Sequence, residues 1–268
     1  MKSAAVFGLF ACLSAAANPG VAAPSGHHHV AVVAAASDYE QKESETVDRN
    51  FPLQDGGELR LNNFSGNIHI TGSNRNNVVI HAVRSATRER LDHIHLDIRA
   101  TPTEISIEAN KKDSSWREQN DNVVETTFEI EVPQQTTLDV HAFSSDVHIE
   151  GVSARQRLYS FSGTIRIDNA AGRLDAETFS GQIKADLQSA TSSPDVRMKT
   201  FSGDIDVRLA ASAQGRIDFN TFSGSLDTSL PMRYRSGSKR SMRGELGNGG
   251  ASNDLEFHTF SGDVRIRD

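Results

Sequence analysis

The chain has 268 residues, enough for one or two domains, with 37% hydrophobic and 24% charged residues and a formal net charge of -7. Acidic and basic side chains are interleaved throughout, and the aromatics, only 6%, are mostly phenylalanines, seven of them in one recurring motif. This argues against a dedicated nucleic-acid surface and against a spare set of stacking platforms for bases or sugars.

Met1-Lys2 is a short basic region, and Ala4 to Leu13 is an apolar run too short to span a bilayer, followed by small residues. This is the pattern of a secretory signal peptide over residues 1–22, with cleavage after Ala17 or Ala22. No later segment is long and apolar enough for a transmembrane span. The single cysteine, Cys12, lies inside the signal beside Leu9-Phe10-Ala11, where the bulk of Phe10 speaks against a lipoprotein box. Once the signal is removed the chain has no cysteine for disulfides, so stability must come from its core. Residues 23–43 read as a flexible linker, and the His27-His28-His29 triplet in it is a tract that more often binds metal adventitiously than functionally.

A β-strand repeat domain is expected over 44–268: a first coil and inserted strands in 44–137, then contiguous coils in 138–268. Val47, Phe51 and Leu53 alternate as a strand, Asp55-Gly56-Gly57 turns the chain, and Leu59 and Leu61 lead into Phe64-Ser65-Gly66. The next copy of that tripeptide, the degenerate Phe143-Ser144-Ser145, comes 79 residues later, which interrupts the repeat. Between them Val78 to Val83, Ile94 to Ile98, Ile105 to Ile107 and Val123 to Val132 alternate apolar with polar and read as strands, with 111–122 as a solvated loop. Trp116 in that loop is either an exposed binding aromatic or a cap over the end of the core, the cap being the simpler reading. Pro133 ends its strand, because proline cannot donate into a ladder.

From there the motif recurs at Phe161-Ser162-Gly163, Phe179-Ser180-Gly181, Phe201-Ser202-Gly203, Phe222-Ser223-Gly224 and Phe260-Ser261-Gly262. Successive phenylalanines from Phe143 are 18, 18, 22 and 21 residues apart. Apolar residues hold fixed offsets around each Phe: Leu174 and Ala176 five and three before Phe179, Ile205 and Val207 four and six after Phe201. Each unit is thus two short strands joined at Ser-Gly, where a change of side-chain parity calls for a bend that glycine accommodates. Units this small bury their apolar faces only against neighbours stacked at about 4.8 Å. The expected fold is therefore an all-β solenoid with the phenylalanines as an internal ladder; a barrel or sandwich would need regular hairpin turn signals that are largely missing.

Residues 231–254 interrupt the coils again with a Gly- and Ser-rich basic loop, in which Arg233, Arg235, Lys239, Arg240 and Arg243 face only Glu245 and Asp254 in number. It is either a solubilising loop or a contact surface for an acidic partner such as anionic envelope polymer, lipid headgroups or a surface protein. Leu255 to Ile266 is expected to close the solenoid.

The order Glu131-Val132-Pro133, Leu138-Asp139-Val140, repeated Thr-Phe-Ser-Gly-Asp-Ile units, and Gly247-Asn248-Gly249-Gly250 leading to Thr259-Phe260-Ser261-Gly262-Asp263-Val264 resembles the bacterial DUF4097 adhesin-type family. The likeness covers about Thr46 to Asp268 and implies an exported solenoid-type repeat protein. The adhesin label rests on architecture, and the family offers no catalytic residues to carry over. The sequence departs from the family pattern at Ser145, where the motif glycine is missing, and in its long basic loop.

Chemistry is sparse. The motif serines lie in no Gly-x-Ser-x-Gly elbow, and their repetition assigns them to turns. Asp204 and Asp206 are the nearest approach to the paired carboxylates of a glycoside hydrolase. His93, His95 and Asp97 on one strand, and His69 with His148 at equivalent repeat positions, could hold zinc only if a further ligand approached. The calcium-binding nonapeptide of other solenoids is absent. The sequence therefore points to a non-enzymatic exported envelope or surface protein that binds or scaffolds, with no metal or other cofactor. The alternatives are a β-helical carbohydrate-active enzyme and an architectural or stress-associated envelope protein with no dedicated ligand.

Overall fold

The computed structural model describes residues 42–114, 116, 123–189, 194–247 and 253–268. The signal peptide, Cys12, the histidine triplet and Asn248-Gly249-Gly250 lie outside them. In chain order the elements are β1 (Glu43–Pro52), β2 (Glu58–Ser65), β3 (Ile68–Ser73), β4 (Asn77–Ala86), α1 (Arg88–His93), β5 (Ile94–Ala100), β6 (Glu104–Lys112) and β7 (Glu125–Pro133). The coils follow as β8 (Thr137–Ser144), β9 (Val147–Glu150), β10 (Gln156–Ser162), β11 (Ile165–Asp168), β12 (Leu174–Ser180), β13 (Ile183–Leu187), β14 (Val196–Ser202) and β15 (Ile205–Leu209). Last come β16 (Gly215–Ser223), β17 (Leu226–Thr228), β18 (Met232–Gly237), β19 (Ser241–Leu246), β20 (Asp254–Ser261) and β21 (Val264–Arg267).

Each motif unit gives its first strand to an eleven-stranded sheet, ordered β18-β19-β16-β20-β14-β12-β10-β8-β2-β6-β5. It gives its second strand to a ten-stranded sheet, ordered β1-β4-β7-β3-β9-β11-β13-β15-β21-β17. Phe-Ser-Gly is the corner between the two. Coil neighbours pair in parallel and in register, so equal repeat positions align: Ala176 opposite Met198, Ile183 opposite Ile205. The fixed apolar offsets thus become continuous buried rows between the sheets, including Leu61, Val140, Leu158, Met198 and Phe257 from one side and Ile70, Ile149, Ile167, Val207 and Ile266 from the other. Each fully buried side chain of this size contributes about 1.5–3 kcal/mol, and the rows replace the disulfides that the domain lacks.

The 79-residue gap between Phe64 and Phe143 does not interrupt the stack in space. β2 pairs directly with β8, Leu61 opposite Val140, and Phe64 stacks on Phe143 at 4.6 Å. The inserted strands lengthen one end of both sheets: β6 and β5 beyond β2, and β7, β4 and β1 beyond β3. All four expected runs of the insertion are strands, and the short helix α1 between β4 and β5 is an addition to them. Trp116 stacks on His93 at 4.4 Å beside that helix.

Two further expectations are corrected. The unit from Leu255 to Ile266 does not close the solenoid: β20 lies between β14 and β16, and β21 between β15 and β17. Residues 231–254 are not simply a loop, because β18 and β19 form an antiparallel hairpin that continues the eleven-stranded sheet beyond β16. Met232 and Met242 pack on the core and Leu246 is buried in it. The alternation of Met242, Gly244 and Leu246 with Arg243 and Glu245 was the period-two signal, hidden by the basic, Gly- and Ser-rich composition.

Candidate functional site

The corner of the solenoid carries its least ordinary surface. The phenylalanines do form a ladder, Phe64, Phe143, Phe161, Phe179, Phe201, Phe260 and Phe222 in spatial order, with ring centroids 4.6–4.9 Å apart. It is external, however, which overturns the internal ladder expected from the offsets. Phe201 keeps 46% of its surface exposed and Phe222 59%. The residue just before the Phe points inward instead in six of the seven copies: Asn63, Ala142, Ser160, Thr178, Thr200 and Thr259 are buried, and Thr221, before Phe222, is half-buried. Alternation therefore continues unbroken through Phe, and the parity change falls after it, at Ser-Gly. Several of these inward polar groups bond corner backbone: Thr200 Oγ1 donates to the Gly181 carbonyl at 3.3 Å and Thr259 Oγ1 to the Gly262 carbonyl at 2.9 Å. A polar residue so placed reads as outward in sequence, which is why the assignment of faces failed there.

The corner glycines are stacked as tightly as the rings. A Cβ on Gly203, at φ +143°, would stand 1.9 Å from the Gly181 carbonyl oxygen, and one on Gly163, at φ +132°, 2.2 Å from that of Ser145. Gly66, Gly181, Gly224 and Gly262 meet neighbouring backbone in the same way. Ser145 occupies a corner without distorting it: Phe143 stacks on both neighbours, and Ser145 Oγ lies 3.5 Å from Asn63 Nδ2, where most other units have a hydroxyl residue. Ring faces are thus taken up by adjacent rings, and ring edges face solvent.

The basic hairpin stands at the Phe222 end of this ladder. Arg240 covers the terminal ring, its guanidinium carbon 5.7 Å from the ring centroid, a cation–π contact. Arg235 is bonded to Glu245, and Arg243 Nε donates to Asp218 at 3.1 Å, so two of the five expected contact cations are neutralised locally. Arg233 and Lys239 are exposed, with no acidic partner among the described residues. The free positive charge is therefore Arg233, Lys239 and Arg240.

The outer face of the ten-stranded sheet carries mixed charge ladders. Asp204 accepts the backbone N–H of Asp263 at 2.9 Å and Arg265 Nη1 at 2.9 Å, and the same guanidinium lies 3.5 Å from Asp206. The hydrogen bond from the Asp263 backbone, with help from Arg265 and against the effect of burial, holds the Asp204 carboxyl below its ordinary value. A hydrolase general acid needs the opposite displacement, so Asp204 does not suit that role; the Arg265 guanidinium between Asp204 and Asp206 makes the three an ion-pair ladder.

The histidine groupings are rearranged. His93 and His95 converge on Asp113, at 3.4 and 2.9 Å, while Asp97 pairs with Lys111 at 2.7 Å. The hydrogen bond from His95 lowers the Asp113 carboxyl. His69 and His148 do come together, as parallel rings 4.6 Å apart. No helix among the described residues is long and apolar enough to cross a membrane.

Comparison with known proteins gives a family. No curated protein matches the chain. Among solved structures, a "putative cell adhesion protein" from Clostridium sporogenes is similar at 11% identity, over 83% of this chain and 99% of that one, with a TM-score of 0.49. A "putative adhesin" from Bacteroides fragilis is similar at 10% identity over 83% and 97%, with a TM-score of 0.32. A "putative lipid binding protein" from Parabacteroides distasonis is similar at 10% identity over 84% and 96%, with a TM-score of 0.25. The DUF4097 Toastrack profile matches residues 134–267, half of the chain and nearly all of its contiguous coils, and the chain belongs to that family.

Proposed function

We propose that this protein is a non-enzymatic envelope or surface module, exported by its 1–22 segment, that uses a rigid solenoid to present a binding surface to an anionic partner. The observation that carries this reading is the juxtaposition at one end of the corner: an exposed aromatic ladder terminating under Arg240, with the unpaired Lys239 next to it in the chain and the unpaired Arg233 farther along the same hairpin, opposite Glu245. In-register strands fix these groups before any encounter, which lowers the ordering cost of binding. A cationic cluster beside apolar ring edges suits an acidic polymer or lipid headgroup, whose charge meets the cations while its apolar parts meet the rings. The carboxylate pair nearest to a hydrolase arrangement is clamped by Arg265, which favours binding over turnover.

The test is binding of the full chain to cell-envelope fractions and to vesicles with and without anionic lipid, at low and moderate salt, beside an Arg233→Glu, Lys239→Glu, Arg240→Glu triple variant. Salt-sensitive binding lost in the variant is expected, because exposed charges are screened over about 8 Å at physiological ionic strength. Binding indifferent to both salt and charge reversal would remove the hairpin from the contact surface. Turnover of a polysaccharide, abolished by Asp204→Asn, would replace the reading with an enzymatic one.

A further inference from the structure

We propose that His69, His148 and Glu150 form a binding site for a divalent transition cation of the zinc type on the outer face of the ten-stranded sheet. The site is distinct from the aromatic corner and the basic hairpin. It arises from repeat register: β3 and β9 pair in parallel with His69 opposite His148 and Thr71 opposite Glu150. Outward positions recur every second residue along a strand, so His148 and Glu150 are neighbours on one strand while His69 is delivered by the next. The three side chains offer one ligand atom each within 4.8 Å of one another.

Two imidazoles and one carboxylate make a nitrogen-rich set of borderline softness, which suits Zn²⁺, Cu²⁺ or Ni²⁺ rather than Ca²⁺ or Mg²⁺. The ligand atoms stand farther apart than on a closed coordination shell with bonds of about 2.0–2.2 Å. Closing the shell requires the His69 ring and the Glu150 carboxylate to turn on their strands toward His148, with water completing the sphere. A supporting partner is already in place. His148 Nε2 lies 2.8 Å from Asp168 Oδ2 on the next strand, and Arg166 Nε donates to that same oxygen at 2.6 Å. A carboxylate held against one ring nitrogen fixes the tautomer and leaves the other nitrogen its lone pair, as metal-binding imidazoles commonly have it. His69 stacks on His148, and its one hydrogen-bond contact is a long one of 3.4 Å to Thr71 Oγ1, so no carboxylate holds its ring in place. The second cluster, His93 and His95 on Asp113, has both rings engaged with the one carboxylate, and His93 is also stacked on Trp116.

The experiment uses the full chain with His27, His28 and His29 replaced by Ala, which removes the tail's own affinity for metal. Titration with ZnCl₂ by calorimetry is expected to show one saturable equivalent and a raised melting temperature, since a ligand that binds only the folded state stabilises it. His69→Asn and Glu150→Gln should each weaken binding at least tenfold, and Asp168→Asn should weaken it by about tenfold through loss of the supporting hydrogen bond; His95→Asn should leave it unchanged. Circular dichroism checks the fold of each variant. The Cu²⁺-loaded parent supplies a readout that needs no variant, because its EPR spectrum should show two coordinated imidazole nitrogens. Absence of saturable binding overturns the proposal, as do affinities unmoved by both His69→Asn and Glu150→Gln, loss of binding with His95→Asn, or a spectrum with fewer than two nitrogens.

Discussion

Replacing Gly203 by Ala isolates the close packing of the corners. The added methyl carbon would lie 1.9 Å from the Gly181 oxygen and 2.7 Å from its carbonyl carbon, both backbone atoms and both short of the 3.4 Å at which ordinary contact begins. No side chain can move aside, so the two coils must part. Two hydrogen bonds cross that corner, from Gly181 N–H to the Ser202 carbonyl and from Ile183 N–H to the Asp204 carbonyl, each at 3.0 Å. Weakening them costs about 1 kcal/mol apiece. The positive φ of the site adds about 1–3 kcal/mol for a residue with a Cβ, giving about 3–5 kcal/mol in all. Gly56 is the control: its φ is +75°, yet a Cβ there would meet nothing within 4 Å. Its replacement by Ala should cost only the conformational penalty, about 1–2 kcal/mol. Urea denaturation followed by far-UV circular dichroism compares the two midpoints. A midpoint for Gly203→Ala no lower than that for Gly56→Ala would refute the claim that corner contact limits the spacing of the coils.

The inward and outward phenylalanines should separate in the same assay. Phe257→Ala, at a fully buried position, should cost about 3–5 kcal/mol by leaving a cavity, whereas Phe201→Ala should cost about 1–3 kcal/mol for two lost ring contacts; the reverse order would place the ladder inside after all. Asp204 should contribute to an acid limb of stability. Its folded pKa lies below the ordinary value of 3.8, so its contribution is fully present above the unfolded value and is lost as pH falls through the folded one. Melting temperatures recorded from neutral pH into the acid range should therefore fall more steeply for wild type than for Asp204→Asn; parallel curves would show that the Asp263 and Arg265 contacts do not matter to stability.

Much of the fold was legible because a solenoid repeats its information. Each unit restates the same apolar offsets, so the two strands per unit, the corner at Ser-Gly and the strand runs of the insertion follow from period-two alternation alone. What was not legible concerns relations between units. Phenylalanine is the largest apolar residue of the motif, and hydrophobicity assigns it to the core. The stacked neighbours that shelter its faces are contributed by other coils, and that shelter allows it to stand outside. The buried Thr178, Thr200 and Thr259 are the converse, polar side chains brought inside where corner carbonyls accept their hydroxyls in the latter two. The register that sets His69 against His148 could be counted from the repeat, whereas the meeting of His93 and His95 with Asp113 depends on a bulged antiparallel pairing of β5 with β6 that no repeat encodes.

The position of the β20–β21 unit bears on how the rod comes apart. In a solenoid whose spatial and chain orders agree, the terminal unit peels away, then the next, and fraying advances step by step. Here the terminal unit, β16 with β17, is joined through the β18–β19 hairpin to a unit lodged deeper in the rod. Its peeling lifts a loop tethered at both ends, from β15 on one side and β20 on the other, and that loop gains less chain freedom than a loose end would. The same arrangement leaves a gap during assembly: β14 and β16 keep unpaired edges facing each other until β20 arrives between them, and β15 and β17 do so until β21 arrives. Such edges are open to other strands. The step that joins the end of the rod to its body is thus the step that locks it, and this end is held by a latch where a simple repeat would only stack.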